Sequence, residues 1–232
     1  MNVVSGTGIG KRTVNQDLIY SKKITKSKDL FLVADGMGGY EDGDLAAKII
    51  VETISKNINN TINQNIIQSN LNLANDEVKH IRQQLNHKLG ATIAGILLEN
   101  GSALCFWVGD VKIYQFRNNE LLFESIPHTL MNEMLKNGSL TDLSQALKYK
   151  HIVTRSIQGD EEIIQPDYAK INLLEADIIL ICTDGVHDII DTKSMEYYLR
   201  QTVTLEKFSN EIDKRCQNEA KDNYSWVVIK IK

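Results

Sequence analysis

The chain has 232 residues, 42% of them hydrophobic and 24% charged, a mixture that excludes disorder over most of its length. No apolar run approaches the ~20 residues of a membrane-spanning helix. A formal charge of −4, with no long basic block, argues against nucleic acid as a partner. Cys105, Cys182 and Cys216 are an odd number without paired spacing, neither a disulfide framework nor a thiolate zinc site. Cys105 and Cys182 lie in strand-like runs and read as buried free thiols. With no secretory leader pattern at the N-terminus, the expected setting is a reducing cytoplasm.

Two prolines, Pro127 and Pro166, and no linker composition point to one domain over 1–232. The pattern predicts strands at 17–24 and 30–34, then a helix capped by Asp44 with Leu45, Ile49, Ile54 and Ile58 at helical spacing. A second helix is expected over 66–89, with Ile67, Leu71, Ala74, Val78, Ile81 and Leu85 on one face and a polar, Asn-rich loop before it. The middle reads as an antiparallel meander: strands 90–98, 103–108, 111–116 and 121–125, with turns at 99–102 and 117–120. A short helix follows around Met131, Met134 and Leu135, ending at Asn137-Gly138. Strands are predicted at 169–173 and 177–182, helices at 193–201 and 205–219, and a last strand at 225–231. Strands at both ends with two separate helix pairs suggest packed sheets with helices outside.

One pattern repeats: an apolar strand running into Asp-Gly. It stands at Phe31-Leu32-Val33-Ala34-Asp35-Gly36 and at Ile179-Leu180-Ile181-Cys182-Thr183-Asp184-Gly185. Asp110 ends a third strand-like run, and Asp222-Asn223 precede the last. A strand end is a rigid platform, and converging carboxylates repel unless cations lie between them. All-oxygen sites select Mg²⁺ or Mn²⁺.

In order and context these motifs resemble the metal-dependent protein phosphatase 2C family, in its compact bacterial form. The resemblance rests on Arg12-Thr13-Val14-Asn15-Gln16-Asp17, then Asp35-Gly36-Met37-Gly38-Gly39 with Gly43, Ala46 and Ala47 following. It continues through Gly90-Ala91-Thr92, Gly109-Asp110-Val111-Lys112, Thr154-Arg155-Ser156-Ile157-Gln158-Gly159, Cys182-Thr183-Asp184-Gly185 and Asp222-Asn223. It runs from about Thr7 to the C-terminus. Each motif is modest alone; together and in order they are specific.

The resemblance implies an α+β fold, an α/β/β/α four-layer sandwich of two antiparallel sheets flanked by helices. It implies two Mn²⁺ or Mg²⁺ ions holding a bridging water. Asp35 would bridge both ions, the Gly36 carbonyl would serve one, and Asp184 and Asp222 would ligate the other. Asp110 with Asp184 would form a weaker third-metal site, and Asp17 would act through metal-bound water. Arg12 would hold the substrate phosphate as a charged fork. The water, acidified between two cations, attacks phosphorus in line, and a seryl or threonyl oxygen leaves. The implied substrates are proteins phosphorylated by a partner Ser/Thr kinase, handled by a monomer with no nucleic acid or membrane partner. Residues 128–155 match the family's flap, a mobile segment beside the site.

The chain departs from the family pattern at Gln16, where many relatives carry Glu, and at Met37, where eukaryotic relatives place a His. It departs again at Val111-Lys112 and at Pro127-His128-Thr129. Gly6-Thr7-Gly8-Ile9-Gly10-Lys11 fails the phosphate-loop spacing and reads as a strand and turn leading to Arg12. The 35–44 segment lacks the EF-hand order. His80 and His87 are expected to face solvent. His128, His151 and His187 read as structural or surface, Glu41 and Asp42 as solvated, and Trp107 and Trp226 as core. Two other functions fit the same motifs: a catalytically silent phosphatase-like binding module and a phosphoesterase acting on small molecules.

Overall fold

The computed structural model describes residues 1–37, 42–58, 63–140, 142–160 and 163–232. Gly38, Gly39, Glu41 and the tip of the Asn-rich loop lie outside the described residues. The order is β1 (Asn2–Gly8), β2 (Asp17–Lys23), β3 (Lys28–Gly36), α1 (Gly43–Asn57), α2 (Gln64–Leu85), β4 (Ala91–Glu99), β5 (Ser102–Val108), β6 (Lys112–Arg117) and β7 (Glu120–Glu124). Then come α3 (Leu130–Lys136), α4 (Leu143–Ala146), β8 (Asp167–Asn172), β9 (Ile178–Cys182), α5 (Asp184–His187), α6 (Thr192–Gln201), α7 (Leu205–Glu219) and β10 (Tyr224–Lys230). Two five-stranded antiparallel sheets result, β1-β10-β9-β6-β7 and β2-β3-β4-β5-β8.

Alternation along the strands builds four layers. On β3, Leu30, Leu32 and Ala34 face α1 and α2, against Ile50, Ile54, Ile67 and Leu71. Phe31 and Val33 point the other way and meet Ile179, Ile181, Val227 and Ile229 of the opposite sheet. The far face of that sheet, Leu180, Cys182, Trp226 and Val228, is covered by Met195 and Leu199 of α6 and by Phe208 and Ile212 of α7. Every strand near the centre is therefore apolar on both faces, which is why its sequence reads as a continuous run. Each such Leu, Ile or Phe contributes about 1.5–3 kcal/mol by leaving water. The three cysteines are buried; burial pushes the thiols of Cys105 and Cys216 up to about 12 and that of Cys182 well upward. No helix among the described residues is long and apolar enough to cross a membrane.

The α1 cap and the divided meander differ from the sequence expectation, while the strand before Arg12 and the buried His128 agree with the strand-and-turn and structural readings. The segment before Arg12 forms a full strand, β1, paired along its length with β10. The residue before α1 is Asp42, not Asp44, and its side chain makes no capping hydrogen bond; it pairs with His87 Nε2 at 2.6 Å, so both are engaged and only partly exposed. His128 is buried. The middle meander is divided: β4 and β5 lie in one sheet, β6 and β7 in the other. The chain crosses between sheets at Gly109-Asp110-Val111, a step that local turn signals do not carry.

Candidate metal centre

The centre forms where strands stop. In register, Asp17 on β2 stands opposite Asp35 on β3, a like-charge cross-strand pair of the kind sheets avoid. Asp110 occupies the crossing from β5 to β6. β9 ends at Cys182, Thr183 precedes the short helix α5, and Asp184 is that helix's first residue. Asp222 lies just before β10.

The side chain of Asn223 fastens the loop that carries Arg12. It donates to the carbonyls of Ile9 (3.0 Å) and Val14 (2.9 Å) and accepts the Gln16 N–H (2.9 Å). The Gln16 carbonyl in turn accepts the N–H of Gly36 at 3.1 Å, so the Arg12 loop and the Asp35 strand end share one strut. A Cβ on Gly36 would come 2.3 Å from the Gly43 carbonyl; only glycine lets α1 start this close to the strand end. Thr183 links the sheets, its hydroxyl donating to Asp17 Oδ2 and accepting the Ser225 N–H, both at 3.0 Å.

Withdrawal from water is the first cause that lifts the carboxyls here, and facing carboxylates add to it. Asp17 is pushed up to about 7. Asp35 and Asp184 are pushed well above the usual carboxylate range, and Asp110 is also raised. Arg12 stands at the rim: its Nη2 donates to Asp222 Oδ2 at 2.6 Å, which raises its own pKa further. Two oxygens, Asp17 Oδ1 and Asp184 Oδ1, are buried without a hydrogen-bond partner. Buried acceptors of that kind are costly unless something positive completes them. An all-oxygen set on rigid strand ends suits a hard divalent cation, so the residues present fit such a centre.

The structure thus brings together Asp17, Asp35, Asp110, Asp184, Asp222 and Arg12, with Gly36 directly behind Asp35 and its N–H already taken. A cleft of about 560 Å³ opens beside them, lined by Arg12, Lys150, His151, Asp184, Asp188 and Asp222 among others. Sequence reasoning missed part of this. His151, Asp184 and Asp188 each bring a donor atom within 4.8 Å of the others, and Lys150 and His151 bond Asp188 at 3.2 and 3.1 Å. The spacing of Asp188 four residues after Asp184 places both on one helical face; nothing local marks His151, which arrives from a distant segment.

The sequence pattern of the family described as protein phosphatase 2C matches residues 7–226. The protein phosphatase PhpP of Streptococcus pneumoniae is 28% identical over 220 residues, covering 88% of this chain and 89% of its own. Among solved structures, the serine/threonine phosphatase of S. agalactiae has a TM-score of 0.86 at 24% identity, covering 100% of this chain and 99% of its own. The catalytic domain of the phosphatase PstP, solved with two manganese ions, has a TM-score of 0.83 at 19% identity, covering 100% and 98%. These two likenesses speak for the fold, and the family match spans nearly the whole chain. The chain therefore belongs to the protein phosphatase 2C family, the metal-dependent protein serine/threonine phosphatases.

Proposed function

We propose that this phosphatase hydrolyses phosphoserine and phosphothreonine in proteins with Asp35 and Gly36, Asp184 and Asp222 holding two divalent cations, Mn²⁺ or Mg²⁺. Asp110 with Asp184 holds a weaker third, and Asp17 acts through the hydration of these ions. The observation that carries this reading is the pair of buried, unpartnered oxygens on Asp17 and Asp184. Cations bound there supply an acidified water and neutralise charge on the phosphoryl group. Arg12 lies at the cleft rim with its guanidinium already on a carboxylate, and the same fork suits two phosphate oxygens. Desolvation, and then the facing carboxylates, raise the pKa of Asp35 and Asp17, and cations bound there would favour their ionised forms.

The flap spans 128–155; Lys150 and His151 from it line the cleft and face the incoming phosphoprotein. The whole of 1–232 acts as one catalytic domain, as a monomer in the cytoplasm, reversing a partner serine/threonine kinase. The test is hydrolysis of a phosphothreonine peptide by purified protein with Mn²⁺, with Mg²⁺ and with chelator, beside Asp35→Asn. Turnover that needs metal and is lost in the variant supports the reading. A folded protein that binds metal and phosphopeptide without turnover would establish the silent binding module instead.

A further inference from the structure

His128 is outside the groups that face the cleft, yet it is 5% exposed and every polar atom it has is engaged beside the centre. It grips one residue from two sides. Its main-chain N–H donates to the Gly109 carbonyl at 2.8 Å, and its ring Nδ1 accepts the N–H of the same Gly109 at 3.0 Å. Gly109 immediately precedes Asp110, at the point where the chain changes sheets. Its φ of +102° is open to glycine, and a Cβ there would come 2.3 Å from the Thr92 side chain. On the other side, His187 Nε2–H donates to the Asp110 carbonyl at 3.0 Å.

Accepting at Nδ1 leaves the neutral ring's proton on Nε2, which lies 3.5 Å from Asp167 Oδ2 and 3.3 Å from Arg155 Nη1, the guanidinium itself paired with Asp167 at 3.1 Å. Burial, and then the nearby Arg155, push the His128 pKa down and keep the ring neutral. Trp107 stacks on the imidazole at 22°, centroids 6.4 Å apart. The carbonyl of His128 accepts the N–H of Thr154 at 2.9 Å, and Thr129 bridges Val153. One residue therefore anchors both the Asp110 corner and the base of the 128–155 segment.

We propose that His128 is a positioning residue: by holding both polar groups of Gly109 it aims the Asp110 carboxylate at Asp184 and ties that aim to the base of the flap. It acts through Asp110 and touches neither substrate nor cation. The proposal rests on the reading of Asp110 and Asp184 as the third, weaker cation site.

Two conservative variants test it in the full chain. In His128→Asn the amide oxygen takes the place of Nδ1; in His128→Gln it takes the place of Nε2. Mn²⁺ binding by calorimetry and amide hydrogen exchange at Gly109 are measured for both, with Asp110→Asn alongside. His128→Asn is expected to keep the weakest Mn²⁺ and the protection of Gly109. His128→Gln is expected to weaken that ion by about tenfold, the worth of one hydrogen bond, to speed exchange at Gly109 by a similar factor, and to leave the tighter ions in place. Wild-type ion binding in His128→Gln overturns the proposal, as does equal loss in both variants, since ring bulk would then be what matters. If Asp110→Asn loses the weak ion and His128→Gln keeps it, the proposal alone falls. If Asp110→Asn keeps it, the third-site reading falls and the proposal with it. Should His128→Gln fail to fold, His128→Asn decides: a protected Gly109 amide with the weak ion bound supports the proposal, and an unprotected amide with that ion still bound overturns it.

Discussion

Two sets of acids are withdrawn from water in this fold, and they are held in opposite ways. Asp177, 1% exposed, is saturated: Arg117 donates to both its oxygens at 2.8 Å, Gln115 at 2.9 Å and the Leu174 N–H at 2.9 Å. Burial alone would raise its pKa, but these donors outweigh it and the carboxyl stays below its usual range. Asp17, Asp35, Asp110 and Asp184 face one another, and their carboxyls are raised. The first arrangement is complete as folded and does structural work at the far end of the sheets. The second is completed by something the chain does not supply. Burial of an acid says little about function; the balance of its partners says a great deal.

Mutation should separate the two sets. Asp35→Asn is expected to lower turnover of phosphothreonine peptide by roughly a thousandfold or more, since a metal-borne charge is worth several kcal/mol. The metal-free variant should melt no lower than wild type, because a group whose ionised form is disfavoured by burial and by its neighbours has become permanently neutral. Equal activity in Asn and Asp forms would erase the distinction drawn above. Asp177→Ala should do the reverse: a loss of about 2–4 kcal/mol in urea unfolding, from stranding Arg117, Gln115 and the Leu174 amide, with turnover per folded molecule within about twofold. Arg12→Ala should cost about 10- to 100-fold in kcat/KM, the worth of a charge-assisted bond to phosphate, visible in steady-state kinetics.

The smallest effect is one of pH. An acid whose pKa is raised by folding binds more protons in the native state than in the unfolded one, so stability falls as pH rises. For Asp17 the window runs from the ordinary carboxyl value of 3.8 to about 7, and Asp35 and Asp184 shift in the same direction. The metal-free protein should therefore melt a few degrees lower at pH 7.5 than at pH 5, the size of shift that ~1 kcal/mol gives a chain of this length. Saturating Mn²⁺ should shrink or reverse that difference. A melting temperature that rises with pH in chelator would show that the acids are not held apart by repulsion alone.

Much of this was legible in the sequence because its signals are local. Apolar runs ending in Asp-Gly mark Asp35 and Asp184, and continuous apolar runs together with helical spacing name the strands and helices of the layers. What stayed hidden depends on pairing between distant segments. The register that sets Asp17 opposite Asp35 is not written in either strand. Nor is the strut from Asn223 to Gln16, or the meeting of His151 with Asp188, 37 residues on (188 − 151). His128 read as structural or surface because one imidazole among polar neighbours carries no period; its burial and its grip on Gly109 follow from the sheet crossing, which turn signals alone do not reveal.

The cysteines have a consequence for the conditions under which the enzyme can work. All three thiols are buried and their acidity is suppressed, to about 12 for Cys105 and Cys216 and well upward for Cys182. Peroxide and alkylating reagents attack the thiolate, which these residues scarcely form at neutral pH. A phosphatase built on a cysteine nucleophile is silenced by oxidants. This one has its chemistry assigned to oxygen ligands and its thiols enclosed, Cys105 between the two sheets and Cys182 and Cys216 beneath the helices, so its turnover is expected to withstand peroxide that silences a cysteine phosphatase.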